Sequence, residues 1–428
     1  MPNSIPHRLT PKQKRSFFAA WGGIALDGVD SFIYALVLVP AMKELLPQSG
    51  IAATPGNLGY YGSILFAIFL VGWGLASAWG PLADRFGRVR TMMVAILFYS
   101  LFTFLGCLAQ NVWQLGLFRM LAGFGVGGEF VGATVLVAEG LPENRRVQGA
   151  GWLNSGYYVG TFIAAALNYV IGSHYGWRAM FAVGGLPALF IAYIRYGVEE
   201  PQKWKDKSSE GGGISVRTAF MGLFTKQYRK RTVLNCLYIL ISMIGLWAGS
   251  VYAPGAVTQV AVREGYSPAD AAKIASWATM LLATGTILSC LTMHLVADRL
   301  GRRGAIGFYY GIMALSVSVG FGYAFYLPKH ALETFIACLF FVGIGGGSFA
   351  VYFAWLPEQY PTESRGSSMA LAMGIGRFVA AGATFLVGAG ISWYGSIGMP
   401  VAMTALAFVV GFCLVWLGIE TKGKELPD

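Results

Sequence analysis

The sequence predicts an all-α membrane protein, with twelve transmembrane helices arranged as two six-helix bundles. Three observations carry that expectation. Apolar stretches of about 20 residues, enough to cross a hydrocarbon core of ~30 Å, recur along the whole chain. Of its 428 residues 56% are hydrophobic and only 12% charged, with a mean hydropathy of +0.58, whereas a soluble domain carries roughly 25% charged residues. Finally, the loop Gly80-Pro81-Leu82-Ala83-Asp84-Arg85-Phe86-Gly87-Arg88 returns 214 positions later as Val296-Ala297-Asp298-Arg299-Leu300-Gly301-Arg302-Arg303, each copy lying between two apolar stretches.

In order, the first six spans are expected over 17–43, 58–81, 91–109, 114–138, 149–173 and 177–197. The second six are expected over 232–260, 271–297, 305–326, 331–356, 367–391 and 398–418. Between the sets lies the longest polar interruption, 198–231, where Gly211-Gly212-Gly213 is flanked by Lys203, Lys205, Lys207, Lys226, Arg229, Lys230 and Arg231. A glycine-rich centre between basic flanks reads as a flexible cytoplasmic linker. It divides the chain into a bundle at 1–197 and a second at 232–428. A further echo supports an internal duplication: Glu139, Pro142 and Arg146 after span 4 recur at an offset of 219 as Glu358, Pro361 and Arg365 after span 10. Two parallel repeats with a site between them at the midplane suit a carrier that works by alternating access.

The net charge of +11 is topological and needs no nucleic-acid partner. Lys43, Arg178, Arg263, Lys273 and Lys329 fall on the outer side and Arg119 and Arg377 within spans, leaving 24 of the 31 Lys and Arg at the inner side. This asymmetry sets both termini in the cytoplasm of a bacterial-type inner membrane. No cleavable signal is expected, because the first apolar stretch is too long for one. The five cysteines all sit within spans without a CxxC pair and read as packing residues, with no metal site. No nucleotide loop or Ser/His/Asp constellation appears, which points to secondary transport rather than catalysis or ATP-driven pumping. Lipid is the expected surroundings, no cofactor beyond a coupling proton is expected, and one pair of bundles needs no second subunit to form a path.

Ionisable residues inside spans are costly and mark function by default. Asp27 lies about ten residues into span 1, with Asp30 at i+3 and Tyr34 at i+7 on the same face. Two carboxylates one turn apart resist simultaneous ionisation, which suits proton uptake on one side and release on the other; a permanent Asp–Arg lock between helices is the other reading. Glu129, ten residues after Arg119, fits a proton path or a polar cap equally. Arg377 stands in the middle of span 11 with no acid in its own helix, so its fork requires either a substrate carboxylate or a carboxylate from the other bundle. Span 5 presents Asn154, Tyr157 and Tyr158 with Thr161 on one face, and span 7 presents Tyr238 with Trp247 nearby. These polar and aromatic groups suit the body of an organic acid.

The loops offer a gating set: Asp84, Arg85 and Arg88 with Glu139 and Arg146 in the first half, and Asp298, Arg299, Arg302, Glu358 and Arg365 in the second. Pairs among them would close the cytoplasmic side and bias a two-state equilibrium, or the arginines serve as topological anchors.

Taken together, the 80–90 loop, Arg119-x-x-x-Gly123-x-Gly125-x-Gly127-Gly128-Glu129 and Glu358-x-x-Pro361-Thr362-x-x-Arg365-Gly366 resemble the signatures of the major facilitator superfamily over essentially the whole chain. The second-half loop departs at its first position, where His294 replaces the usual glycine. Span 7 lacks the Gln-Gln pair of sugar porters, whereas Asp27-Gly28-Val29-Asp30 resembles the signature of the proton-coupled acid symporters, including the aromatic-acid and the sialate and lactate branches. The resemblance implies the major facilitator fold and proton-coupled uptake of an organic carboxylate: an aromatic acid, a monocarboxylate or an acidic sugar. It also makes spans 1 and 4 neighbours, so that Asp27 would pair reversibly with Arg119. A proton-coupled sugar or polyol carrier and a proton-driven exporter remain as alternatives.

Overall fold

The structure, a computed structural model, describes residues 10–75, 79, 88–140, 146–190, 221–360 and 362–423. Of the expected linker, 198–220 lies outside the described residues. The helix α1 (Pro11–Gln48) begins on Thr10, whose hydroxyl accepts the Gln13 amide at 3.2 Å while the Gln13 side chain accepts the Thr10 N–H at 2.9 Å. This reciprocal cap, with Pro11 in the first turn, starts the helix well before the apolar stretch does. α1 overruns its expected limits at both ends because caps, not hydropathy, decide where a helix stops.

The first half continues with α2 (Pro55–Leu75), α3 (Arg88–Gly106), α4 (Val112–Gly140) and α5 (Arg146–Leu167). A π turn over Asn168–Gly172 then leads into α6 (Ser173–Val183). The second half runs α7 (Arg229–Arg263), α8 (Pro268–Gly322), α9 (Ala331–Gly345) and α10 (Gly347–Trp355). It ends with α11 (Thr362–Tyr394), α12 (Gly398–Met403) and α13 (Ala405–Leu414). Span 10 is thus broken at Gly346 and span 12 at Thr404, where continuous helices were expected. Among the described residues there is no β-strand, and seven helical runs are long and apolar enough to cross a membrane by those criteria alone.

One of those seven is α8, with 55 residues. At 1.5 Å per residue it would measure ~80 Å, more than twice the hydrocarbon thickness. It is two helices, because Gly301 reverses the chain with φ 76° and ψ 175°. The second of them, span 9, takes its cap from the far end of the chain. The Glu420 carboxylate accepts the amide of Arg302 at 2.9 Å and of Arg303 at 3.2 Å, as well as those of Thr421 and Lys422 at 3.0 Å each. It lies so close that a Cβ on Gly301 would be 2.5 Å from Glu420 Oε2.

Close helix approach sets the packing within each half. A Cβ on Gly160 of α5 would stand 1.8 Å from the Ala25 carbonyl of α1. Gly72 and Gly123 seat α2 on α4, at 2.0 Å from Met120 O and 2.3 Å from Phe69 O. In the second half Gly285 and Gly343 do the same for α8 and α9, against Phe340 O and Leu282 O. The two pairs occupy matching places in the two repeats, so the duplication read from the loops extends to the packing. Between the halves, α2 meets α11 and α5 meets α8. The outward surface keeps Leu315, Leu386 and Leu406 more than 60% exposed, as a lipid-facing belt requires.

Two outcomes test this packing. Gly160→Ala should lower the melting temperature in detergent, since overpacking against backbone costs about 1–3 kcal/mol. Gly311→Ala, whose Cβ meets nothing within 4 Å, should raise it slightly through helix propensity. For Glu420, burial pushes the carboxyl up, but the amides of Arg302, Lys422, Arg303 and Thr421 hold it below the ordinary value of 4.5. Its stabilising contribution is therefore present above pH 4.5 and lost as the pH falls through the lowered folded value. A melting series from pH 7 to pH 3 should show a smaller acid loss in Glu420→Gln than in the unmodified protein.

Candidate functional site

Five acidic or basic side chains are buried at the centre among the described residues: Asp27, Asp30, Arg119, Glu129 and Arg377 are each at most 6% exposed. α1 and α4 run antiparallel and contribute four of them. Near one level Asp30 Oδ2 lies 3.6 Å from Arg119 Nη1, and Asp30 Oδ1 accepts the hydroxyl of Thr103 from α3. The Arg119 guanidinium also lies 4.3 Å from the Phe69 ring and 5.3 Å from the Tyr34 ring, so aromatic faces share in balancing the charge. The expected partner of Arg119 was Asp27; the structure gives it Asp30 instead, because three residues along α1 move the carboxylate towards α3 and α4.

Further along α4, Glu129 also faces α1. Its carboxyl occupies the notch at Gly23, where a Cβ would fall 1.6 Å from Glu129 Oε1. The charged groups around Asp27 are Glu129, Asp30 and Arg377, and Tyr99 of α3 completes the Glu129 surroundings. Arg119 and Glu129 differ by about 80° around an ideal helix, yet each needs to turn only ~40° from the common line to face α1. The first bundle therefore holds two polar clusters one turn apart on α1: Asp30–Arg119–Thr103 and Asp27–Glu129–Tyr99.

Arg377 comes from α11 in the second bundle and enters the first. Its guanidinium lies 4.2 Å from the Trp73 ring and 5.5 Å from the Phe130 ring, with Tyr157 and Asp27 as its electrostatic neighbours. Around it is a narrow cavity lined by Trp73, Phe130, Asn154, Tyr157, Tyr158, Met243, Phe349 and Arg377. Aromatic and apolar walls with few polar groups are typical of small-molecule sites. Arg377 supplies the single charge on the lining, and that charge is positive.

The bundles touch on either side of this cavity. Towards one end, Ser63 Oγ and Tyr252 Oη are 2.6 Å apart, and a Cβ on Gly59 would meet Ile391 at 2.4 Å. Towards the end that carries Thr10 and Thr421, Phe130 packs on Phe353 with ring centroids 5.5 Å apart, and Gly74 meets the Phe378 ring.

Of the expected substrate contacts, Arg377, Asn154, Tyr157 and Tyr158 line the cavity. Tyr34 does not: its hydroxyl donates to Gly62 O at 2.9 Å beneath Arg119. Tyr238 donates to Leu414 O at 2.9 Å and stacks on Trp355 inside the second bundle. Both are set on helix faces that hydropathy does not distinguish from the cavity face. Trp247 is on α7, but its side chain lies outside the described residues. Trp73, Phe130, Met243 and Phe349 were not anticipated. The signal for the first two is Arg377 itself, since a guanidinium in mid-span needs aromatic faces as well as an anion.

Among the expected gating residues, Asp84 and Arg85 lie outside the described residues, as do the side chains of Arg88, Glu139, Arg146 and Arg365. In the second half Arg302 donates to Glu358 from Nε at 3.2 Å and from Nη2 at 3.0 Å, and stands 3.6 Å from Asp298. Thr421 Oγ1 donates to Glu358 at 2.5 Å, and Lys422 Nζ reaches Arg299 O at 3.4 Å. These described pairs join segments of the second bundle to one another. No group of three His, Cys, Asp or Glu among the described residues is placed to hold a metal.

Comparison with known proteins adds the context. Residues 20–272 match the model of the Major Facilitator Superfamily. The chain is 28% identical over 429 residues to a probable 4-methylmuconolactone transporter of Cupriavidus pinatubonensis, covering 98% of this chain and 93% of that protein. It is 26% identical to a sialic acid transporter of Escherichia coli, covering 97% and 96%. In fold it is similar to a D-xylose-proton symporter, with a TM-score of 0.75, 19% identity and coverage of 97% and 100%.

The ion pair gives a direct test. Asp30→Ala leaves the Arg119 guanidinium buried without its acid and should destabilise the protein by about 3–5 kcal/mol. Adding Arg119→Leu should restore most of the loss. Thermal melting of the two single variants and the double variant in one detergent would check this.

Proposed function

The chain belongs to the Major Facilitator Superfamily, whose model matches more than half of it, and on that footing we propose that this multi-pass transporter takes up a small organic carboxylate together with a proton. The observation that carries the proposal is Arg377: a cation from one bundle, seated among aromatic rings of the other, on the wall of a cavity with no other charge. A guanidinium presents a planar fork that matches a carboxylate bidentately. In a low dielectric such a pair is worth far more than at a surface. Trp73, Phe130, Tyr157 and Tyr158 then enclose the apolar body of the acid. A relative named for sialic acid transport and another named for a muconolactone are consistent with an oxygen-rich anionic cargo.

Proton coupling follows from what faces Arg377 when the cavity is empty. Asp27 is the acidic neighbour of Arg377 and shares its surroundings with Glu129. A substrate carboxylate arriving at Arg377 withdraws that cation from Asp27, and the Asp27–Glu129 cluster, left with excess negative charge, takes a proton. Asp30 and Arg119 hold α1 to α4 and adjust as that charge changes. The loading of one site thereby sets the protonation of the other, which is the reciprocity coupled transport requires. Arg302, Glu358 and Asp298 steady the inner end of the second bundle as the halves rock, and the termini face the cytoplasm in accord with the charge asymmetry of the loops. One chain supplies the whole path.

Uptake into liposomes of labelled carboxylates, with neutral sugars as controls, tests the reading with and without an inward proton gradient. A gradient-stimulated acid should be carried by the unmodified protein, with uptake reduced at least 100-fold in Arg377→Ala. Asp27→Asn should abolish the stimulation by the gradient while exchange of the acid across the membrane persists. Uptake of neutral sugars alone, with Arg377→Ala as active as the parent, would overturn it.

A further inference from the structure

We infer that the mouth opposite Thr10 and Thr421, the outer one in the proposed topology, is shut by two hydrogen-bonded latches that are built to release: Tyr252 on Ser63 and Asn168 on Ser276. They act on the separation of the two halves, whatever the cargo.

Each latch joins one bundle to the other. Tyr252 Oη of α7 is 2.6 Å from Ser63 Oγ of α2. On the opposite flank Asn168, in the π turn after α5, donates from Nδ2 to Ser276 Oγ of α8 at 2.9 Å. All four side chains are at most 4% exposed. The two serines are repeats of each other, since Ser276 follows Ser63 by 213 positions, as Gly285 follows Gly72. Those glycines make matching contacts within their own halves, so the serines stand on equivalent turns of spans 2 and 8. The duplication has placed one hydroxyl per repeat where the other bundle can reach it.

The proton count shows how the latches release. A serine hydroxyl has a single proton to donate. Ser63 gives its proton to Gly59 O at 2.6 Å and Ser276 to Ala272 O at 2.9 Å, each one turn back in its own helix. Each serine is left to accept, so the donors across the gap are Tyr252 and Asn168. Tyr252 also lies 3.3 Å from Thr384 O of α11, within its own half. As the halves part, Tyr252 turns its hydrogen bond to Thr384 O, the serines keep theirs, and the Asn168 amide meets the water that enters. No buried group is stranded, which is the costly way to break a hydrogen bond. At the inner end the contacts of Phe130 on Phe353 and of Gly74 against Phe378 are apolar. The latches therefore restrain the outer end selectively.

Hydrogen exchange followed by mass spectrometry on the purified full chain tests this in Ser63→Ala, Ser276→Ala and the double variant. Ser63→Ala leaves Tyr252 its bond to Thr384 O and so weakens the closed state alone. Amides of 59–66 and 384–391, at the outer end, should exchange about 5-fold faster in Ser63→Ala and about 25-fold faster in the double variant, the worth of one and of two neutral hydrogen bonds. Amides of 352–359 and 371–378, at the inner end, should be unchanged. Gly388→Ala should act in the same direction from the other bundle, because its Cβ would stand 2.2 Å from Ser63 Oγ and wedge α2 from α11. A rise shared equally by both ends, as loosened packing alone would give, or no rise in either serine variant, would overturn the latches.

Discussion

A charge inside a hydrocarbon-embedded bundle needs a counter-charge, a hydrogen bond or an aromatic face, and the centre of this protein is organised by that requirement. Asp30 and Arg119 meet it for each other. Asp27 and Glu129 meet it incompletely, since the two are like-charged when ionised and face each other between α1 and α4. Arg377 meets it by reaching across the gap into rings that belong to the other bundle. The remaining features follow: glycines on α1 leave room for α5 and for the Glu129 carboxyl, and the aromatic residues cluster where the guanidinium enters.

The same requirement explains why the two bundles differ in content although they repeat in plan. Helix contacts through paired glycines recur in both, and so do the basic loops. The ionisable groups do not. Four of the five central ones are in the first bundle, and the second supplies Arg377 alone. The centre of the second bundle is instead cross-linked by neutral groups, with Tyr310 bonded to Tyr352 at 2.8 Å and to Ser242 at 3.1 Å. The acidic groups thus lie on one side of the interface, and the second bundle presents a cation to them.

Much of the architecture was legible in the sequence, because span length and loop charge are properties of single segments. The two-bundle plan, the pairing of repeats and the placement of Asp27, Asp30, Arg119 and Arg377 within spans could be read directly. What could not be read depends on rotation and on neighbours. Hydropathy has no phase within a span that is apolar all round, so Tyr34 and Tyr238 look as suitable for a cavity as Tyr157 does. The structure turns the first towards Gly62 and the second towards Leu414. The choice of Asp30 over Asp27 as the partner of Arg119 was hidden for the same reason, being a matter of 3 residues along one helix. Trp73 and Phe130 were hidden because an aromatic residue in an apolar span carries no mark of the cation above it.

The cap at Gly301 bears on how the protein is made. The amides that open span 9 find their acceptor in Glu420, separated from Arg302 by 118 positions. A chain emerging from the ribosome inserts span 9 long before that carboxylate exists. For the whole time that spans 10, 11 and 12 are being synthesised, the start of span 9 depends on water at the membrane surface for its hydrogen bonds. Span 9 is therefore capped only when the segment that follows span 12 folds back onto a helix laid down three spans earlier.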